Sequence, residues 1–146
     1  MKRIIIAILL SSILSGCTTS KISNTNKIHI PSSLHGNFMD DYGIRYSITD
    51  TVWTQNPNIQ YHIIKCDTIA QYLLARNDKA NPSEGELYTR IDYMPFTNME
   101  PYTWGFCLTV YNATTLEEAE NKAKADRQNP RKGCNGYPFS RMKKVN

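Results

Sequence analysis

The 146-residue sequence is poor in the motifs that mark enzymes and metal proteins. Its four cysteines include no Cys-x-x-Cys pair, which excludes a zinc ribbon and a thioredoxin-type redox site. None of the three histidines has metal-ligand spacing to a second histidine, a cysteine or a carboxylate. No serine lies in a Gly-x-Ser-x-Gly elbow, and no glycine-rich loop is present that could hold phosphates. We therefore predict no catalytic residue, no metal site and no cofactor, and a protein that is not an enzyme.

The sequence also lacks a hydrophobic run long enough to cross a membrane as a helix, which takes about 20 apolar residues. Its apolar run from Ile4 to Leu14 is shorter than this and is interrupted by two serines. Lys2 and Arg3 precede this run, and the small residues Ser15-Gly16 follow it. This three-part layout predicts a cleaved secretory signal peptide over residues 1–16.

The end of this signal, Leu14-Ser15-Gly16-Cys17, resembles the lipobox of bacterial lipoproteins. The resemblance implies that the Cys17 thiol carries a diacylglycerol, that the signal is removed before Cys17, and that the new amino group is acylated. Two or three acyl chains anchor a small protein stably, because each buried methylene is worth about 0.8 kcal/mol. Thr18 follows, which resembles lipoproteins sent to the outer membrane, so we expect anchorage there, facing the periplasm. In the alternative, the chain is a simple secreted protein and Cys17 is incidental.

Composition divides the rest of the chain into a linker and one domain. Residues 17–30 are mostly polar and predict a flexible tether, and residues 31–146 have the length of a single domain. The net charge of +4 is unevenly distributed, since residues 18–121 contain 7 basic and 12 acidic residues and residues 122–146 contain 8 basic and 1 acidic. The basic end either meets anionic headgroups or acidic envelope polymers, or packs against the protein's own acidic body. No nucleic-acid partner is expected.

Alternating apolar and polar residues predict a mainly β domain. The clearest strand is 102–111, where Cys107 lies opposite an apolar face made of Tyr102, Trp104, Phe106, Leu108 and Val110. Shorter strands are predicted over 43–48, 51–55, 59–65, 69–76 and 87–93, and the inward face of 69–76 is ambiguous. The segment "MDDYG" before them (39–43) predicts a turn. Short strands separated by turns every 8 to 12 residues indicate a barrel or a sandwich.

One helix is predicted, over about residues 116–128. Thr115 is the expected N-cap and Glu118 completes a capping box, while Asn129-Pro130 ends the helix. Its apolar stripe consists of three residues, Leu116, Ala119 and Ala123. Small residues allow close approach to a sheet, so we place this helix on the outer wall of the β structure.

Three cysteines follow Cys17, and an oxidising envelope predicts that two of them form a disulfide. Glycines on both sides of Cys134 allow a tight bend in the C-terminal tail. Cys107 lies on the outward face of its strand, where a returning tail could reach it. We therefore favour the pair Cys107–Cys134, and Cys66 remains the alternative partner of Cys134.

A meander of strands, a helix on its outer wall and a disulfide-held tail resemble the lipocalin-like (calycin) barrels, over about residues 34–139. Gly36-Asn37-Phe38 takes the place of the family's Gly-x-Trp motif, with Phe in the position of Trp. The resemblance implies a small antiparallel barrel. Six aromatic residues in the predicted strands either line an apolar pocket or fill the core: Trp53, Tyr61, Tyr72, Tyr88, Trp104 and Phe106.

Together these features predict a lipid-anchored, non-enzymatic module that binds something in the cell envelope, for example a small apolar ligand in the barrel. The alternative is a protein-interaction or inhibitor lipoprotein that acts through surface loops such as 77–86 and 95–101.

Overall fold

A computed structural model of the chain describes residues 28–146. Eight antiparallel strands join in sequence order and the eighth pairs with the first, which closes the sheet into a barrel. The strands are β1 (Gly36–Asp40), β2 (Arg45–Ile48), β3 (Val52–Gln55), β4 (Ile59–Asp67), β5 (Tyr72–Asn77), β6 (Tyr88–Pro95), β7 (Trp104–Ala113) and β8 (Ser140–Lys144). One α-helix, α1 (Leu116–Asn121), packs outside against β5, β6 and β7. The prediction of a mainly β, antiparallel barrel with a C-terminal helix on its outside is confirmed.

The signal peptide, Cys17 and most of the predicted tether lie outside the described residues, but the last part of the tether does not. Ile30 is fully buried in the core, and its N–H donates to Asp50 Oδ1 at 3.1 Å. His35 Nε2 binds the same oxygen at 3.0 Å. A 3₁₀ turn follows at Ser32–Leu34 and buries Leu34. Ile28 and Ile30, at the end of the predicted tether, therefore pack against the barrel core.

The helix is shorter than predicted. Its N-terminus is capped by the expected residues, since Thr115 Oγ1 accepts from the Glu118 N–H. The Glu118 carboxylate accepts from the N–H of Thr114, one residue before the N–H that a capping box uses. It ends at Asn121, so the prediction that it continues to residue 128 is wrong. A short helix gains little from propensity alone. Beyond Asn121 the chain instead places Ala125 in a buried cluster beside the disulfide.

Two strands were not predicted, β1 and β8. The predicted turn at "MDDYG" begins only at Asp41, because Met39 and Asp40 still pair with β2 and β8. Strand β8 is polar apart from Met142, which is fully buried. The strand forms because it bridges β7 and β1 and so satisfies both edges of the sheet.

A β-bulge changes the predicted inward face of β7. Ile91 pairs with Leu108, but the preceding residue Arg90 pairs with Val110, so Thr109 is an extra residue on β7. Such a bulge reverses which face the following residue takes. Val110 consequently leaves the barrel interior and packs in the cluster beneath α1. The predicted apolar face of this strand is correct from Trp104 to Leu108 and wrong at Val110. It is also wrong at Tyr102, which precedes β7 and whose ring contacts the exposed Arg141.

Among residues 28–146 there is no helix whose length and apolar character would let it cross a membrane.

Candidate functional site

The barrel interior is filled by aromatic rings. Trp53 contacts Trp104 and Phe106 edge-to-face, with ring centroids 5.8 and 5.1 Å apart. Phe38 meets Trp104 at 5.2 Å, and Tyr46 meets Phe106 at 5.4 Å. All five side chains are at least 95% buried. Small eight-stranded barrels are just wide enough for side chains to fill them, so these rings form a core.

The structure separates the six aromatic residues that were predicted to line a pocket or fill the core into two groups. Four of them lie in the interior cluster: Trp53, Tyr61, Trp104 and Phe106. Tyr72 and Tyr88 lie outside the barrel, in the cluster between the wall and α1. This settles the ambiguous face of β5, since Leu73 points inward and Tyr72 outward. The six residues therefore do not line one pocket.

A buried ionic network lies beside this outer cluster, and sequence reasoning missed it. Asp92 is fully buried and accepts from Arg90 Nε at 2.8 Å, from Thr109 Oγ1 at 2.5 Å and from Arg127 at 3.0 Å. Arg90 also donates to the Glu120 carbonyl at 2.7 Å, and its guanidinium lies 3.9 Å from the centre of the Tyr72 ring. The alternation of charges along β6 resembles a solvent-exposed face, but α1 and the tail cover it.

Each charged side chain of this network is hydrogen-bonded to other groups of the protein. Arg127 additionally donates to the backbone carbonyls of Tyr93, Ala70 and Gln71, which fixes the tail to the barrel wall. Buried charges of this kind are tolerated when they are paired and hydrogen-bonded. We assign the network a structural role in attaching α1 and the tail.

The disulfide joins Cys107 on the outer face of β7 to Cys134 in the tail, with Cα atoms 5.5 Å apart. The favoured pairing is confirmed, and Cys66 is a free, half-buried cysteine. Phe139 and Ala125 are buried beside this disulfide. The disulfide therefore holds the tail against the barrel wall.

Next to the disulfide, the tail and two other segments form an open apolar groove of about 560 Å³. We call it the tail groove; its lining residues are Asp41, Tyr42, Phe96, Met99, Pro130, Arg131, Pro138, Phe139 and Arg141. Phe96 lies directly over β7, where a Cβ on Gly105 would meet its ring at 2.5 Å. Only glycine at this position allows the ring to lie on the strand.

The rim of the tail groove is basic. Arg141 is neutralised by Asp41, with Nε and Oδ2 2.8 Å apart. Arg131 is exposed and makes no ion pair within residues 28–146, and the same holds for the adjacent Lys132. Pairing with acidic side chains thus accounts for Lys122, Arg127 and Arg141, whereas Arg131 on the groove rim has no carboxylate partner among residues 28–146.

Each of the three histidines lies beside an aspartate in the described part of the chain. His62 Nε2 contacts Asp78 Oδ2 at 2.7 Å on the barrel surface, and His29 and His35 both approach Asp50. Within residues 28–146, no group of three or more histidine, cysteine or carboxylate side chains is placed to hold a metal ion.

Comparisons with protein-family models, with curated proteins and with solved structures found no match to this chain. Residue roles therefore follow from geometry and chemistry alone.

Proposed function

We propose that the protein is a lipid-anchored, non-enzymatic module of the bacterial cell envelope that binds another envelope protein through the tail groove. Anchorage rests on the lipobox-like sequence that ends in Cys17. The observation that carries the binding role is an apolar groove with an unpaired basic rim on the outside of a barrel whose interior is filled. A small apolar ligand inside the barrel is correspondingly disfavoured.

The lengths of the connections support this assignment. Four connections of the barrel have only three or four residues, at positions 41–44, 49–51, 56–58 and 68–71. Three are longer, at 78–87, 96–103 and 114–139. Connections longer than strand pairing requires are commonly functional. Two of the three long connections, 96–103 and 114–139, line the tail groove.

The groove also defines the chemistry of its partner. Exposed apolar surface on Met99, Tyr42 and Pro138 favours a partner that inserts an apolar side chain. Arg131 and Lys132 favour a carboxylate beside that side chain. We therefore expect an acidic surface with an apolar tip. The loop 95–101, predicted as an interaction loop, contributes Phe96 and Met99.

Site-specific cross-linking in cells tests the binding role. A photoreactive residue in place of Met99 should give one discrete protein adduct, whereas the same residue in place of Ile64, which is exposed on β4, should not. Arg131→Glu should reduce the adduct about tenfold or more, because like-charge contacts cost several kcal/mol.

Lys79→Glu is the matched control for this charge reversal, since it makes the same change in the exposed loop 78–87. Loss of the adduct with Lys79→Glu but not with Arg131→Glu would move the contact to that loop and contradict the proposal. An adduct with lipopolysaccharide instead of protein would also contradict it.

Fractionation tests the anchor separately. Cys17→Ala should leave the precursor unlipidated, and the protein should lose its association with membranes. Membrane association equal to that of the parent would contradict the lipoprotein assignment.

A further inference from the structure

The N-terminal segment and the β4–β5 turn lie at the same end of the barrel. Neighbouring strands run in opposite directions, so the chain enters β1 at the end where β4 passes into β5. Ile30 donates to Asp50 in the β2–β3 turn at this end, and Pro31 and Leu34 line a cavity together with Gln71 of the β4–β5 turn. We call this end of the barrel the entry end, because the described part of the chain begins there.

The predicted tether keeps the entry end close to the bilayer when Cys17 carries lipid, as proposed above. Ile28, the first described residue, is 11 residues after Cys17. A chain of this length spans at most about 40 Å. A short linker gives an effective concentration on the order of millimolar, so even a weak contact between the entry end and the bilayer is populated. The inference below therefore rests on the proposed anchorage.

Ile69 lies at the tip of the β4–β5 turn and is 95% exposed, more than any other large apolar side chain of residues 28–146. The turn holds it there, because Asp67 Oδ1 accepts from the N–H groups of Ile69 and Ala70 at 3.0 and 2.7 Å. From the other side, Arg127 donates to the carbonyls of Ala70 and Gln71 at 2.9 and 2.6 Å. Turns ordinarily carry Gly, Pro, Asn, Asp or Ser at such positions. Covering this isoleucine with an apolar surface would be favourable.

A basic pocket of about 410 Å³ lies beside Ile69, which lines it together with Lys124, Arg90 and Arg127. Lys124 is exposed and makes no ion pair within residues 28–146. Arg90 and Arg127 share the carboxylate of the buried Asp92, so one guanidinium charge has no counter-charge of its own. The lining residues and their ionic partners comprise four basic and three acidic side chains: Lys65, Arg90, Lys124 and Arg127, and Asp67, Asp92 and Glu120. The excess positive charge favours an anionic group at this pocket.

An exposed apolar tip beside a basic pocket complements a phospholipid bilayer, in which acyl chains lie next to phosphate groups. We propose that the entry end docks on the bilayer, with Ile69 inserted among the acyl chains and a headgroup phosphate paired with Lys124 at the basic pocket. This pocket shares no lining residue with the tail groove. The β1–β2 turn, which lines the tail groove, lies at the opposite end of the barrel. Docking in this orientation leaves the tail groove open to the proposed protein partner.

Quenching of tryptophan fluorescence by lipids with brominated acyl chains tests the contact. The full-length protein, lipidated in cells, is reconstituted into vesicles of phosphatidylethanolamine and phosphatidylglycerol. Native Trp53 and Trp104 are 0% and 2% exposed, so they contribute a constant background. Brominated lipid should quench the added fluorescence of Ile69→Trp. Tyr111→Trp is the matched control, because Tyr111 is exposed near the opposite end of β7, and its fluorescence should not change.

Charge reversal in the Ile69→Trp protein tests the phosphate contact. Lys124→Glu should lower the ratio of docked to undocked protein about tenfold or more, because it replaces an attraction to the lipid surface with a repulsion. Lys79→Glu makes the same change in the loop 78–87, at the opposite end of the barrel, and should leave the ratio unchanged. All four substituted side chains are exposed, so the substitutions leave the core intact.

Flotation of the same vesicles separates failure of the docking from failure of the anchor. If the protein floats with the vesicles and Ile69→Trp is not quenched, the anchor is correct and the docking is wrong. If the protein does not float, the anchorage and the docking that rests on it are both wrong. Equal quenching of Ile69→Trp and Tyr111→Trp, or equal effects of Lys124→Glu and Lys79→Glu, would overturn the proposed orientation. Binding of inorganic phosphate to the pocket without quenching of Ile69→Trp would identify a site for a soluble anion and would also overturn the proposal.

Discussion

Removal of the disulfide should lower the stability of the protein without unfolding the barrel. Cys107 and Cys134 are 27 residues apart in sequence. In the chain-entropy model a 15-residue loop is worth about 3 kcal/mol and a 100-residue loop about 4.7 kcal/mol, so this loop is worth about 3.6 kcal/mol. A domain of this length has a free energy of unfolding of roughly 6–18 kcal/mol, at 0.05–0.15 kcal/mol per residue. The protein without the disulfide should therefore remain folded at 25 °C.

Thermal unfolding followed by circular dichroism measures this loss. For a domain of this length 1 kcal/mol corresponds to about 4 °C, so Cys107→Ala/Cys134→Ala should lower the Tm by about 14 °C. Cys66→Ala is the matched control, because it makes the same change at a half-buried cysteine that forms no disulfide. Its cost should be about 1 kcal/mol, or about 4 °C.

A Tm loss in the double variant no larger than that of Cys66→Ala would refute the loop-closure reasoning. A peptide map of the non-reduced protein in which Cys134 is joined to Cys66 would refute the pairing itself.

Two other predictions concern charged groups. Asp92→Ala should cost roughly 3–5 kcal/mol in chemical denaturation, because it leaves the Arg90 charge buried without its carboxylate. Asp78→Ala breaks a pair on the surface and should cost far less, so equal losses would contradict this reasoning. Hydrogen bonds from the Ile30 N–H and from His35 lower the pKa of the Asp50 carboxyl below its ordinary value of 3.8. The stabilisation that this carboxylate contributes is therefore complete above about pH 4. It is lost as the pH falls through the lower pKa of the folded state. The Ile30 amide NMR signal should titrate with a midpoint below 3.8 and should not titrate in Asp50→Asn; a midpoint at or above 3.8 would contradict the reasoning.

The features that sequence predicted correctly are those with a local signal. Alternation along residues 104–108 identified the inward rings of β7, and the same alternation put Cys107 outside, where the tail reaches it. The capping box likewise predicted where α1 begins. In each case the residues of a single strand or helix were sufficient for the prediction.

The features that sequence did not predict depend on pairing between distant segments. Strand β8 has one inward apolar residue, Met142, so its sequence has no alternation to read, and it is a strand because β7 and β1 flank it. Val110 faces outward because of a bulge that the register with β6 imposes. The helix ends at Asn121 because tertiary contacts of Ala125 and Arg127 outweigh the helix propensity of residues 122–128.

The tail groove could not be predicted either, because segments that are distant in sequence form it. The Cys107–Cys134 disulfide, whose removal was considered above, holds one of these segments in place. Arg141 and Asp41, which pair on the rim of the groove, are 100 residues apart, and Phe96 comes from a third segment. Each segment alone resembles ordinary surface, and the Cys107–Cys134 bond holds the tail that brings them together. The interior rings do not contact this bond, because it lies on the outer face of β7. Loss of the disulfide should therefore remove the Met99 cross-link at temperatures where the barrel is still folded, which separates the binding surface from the core that supports it.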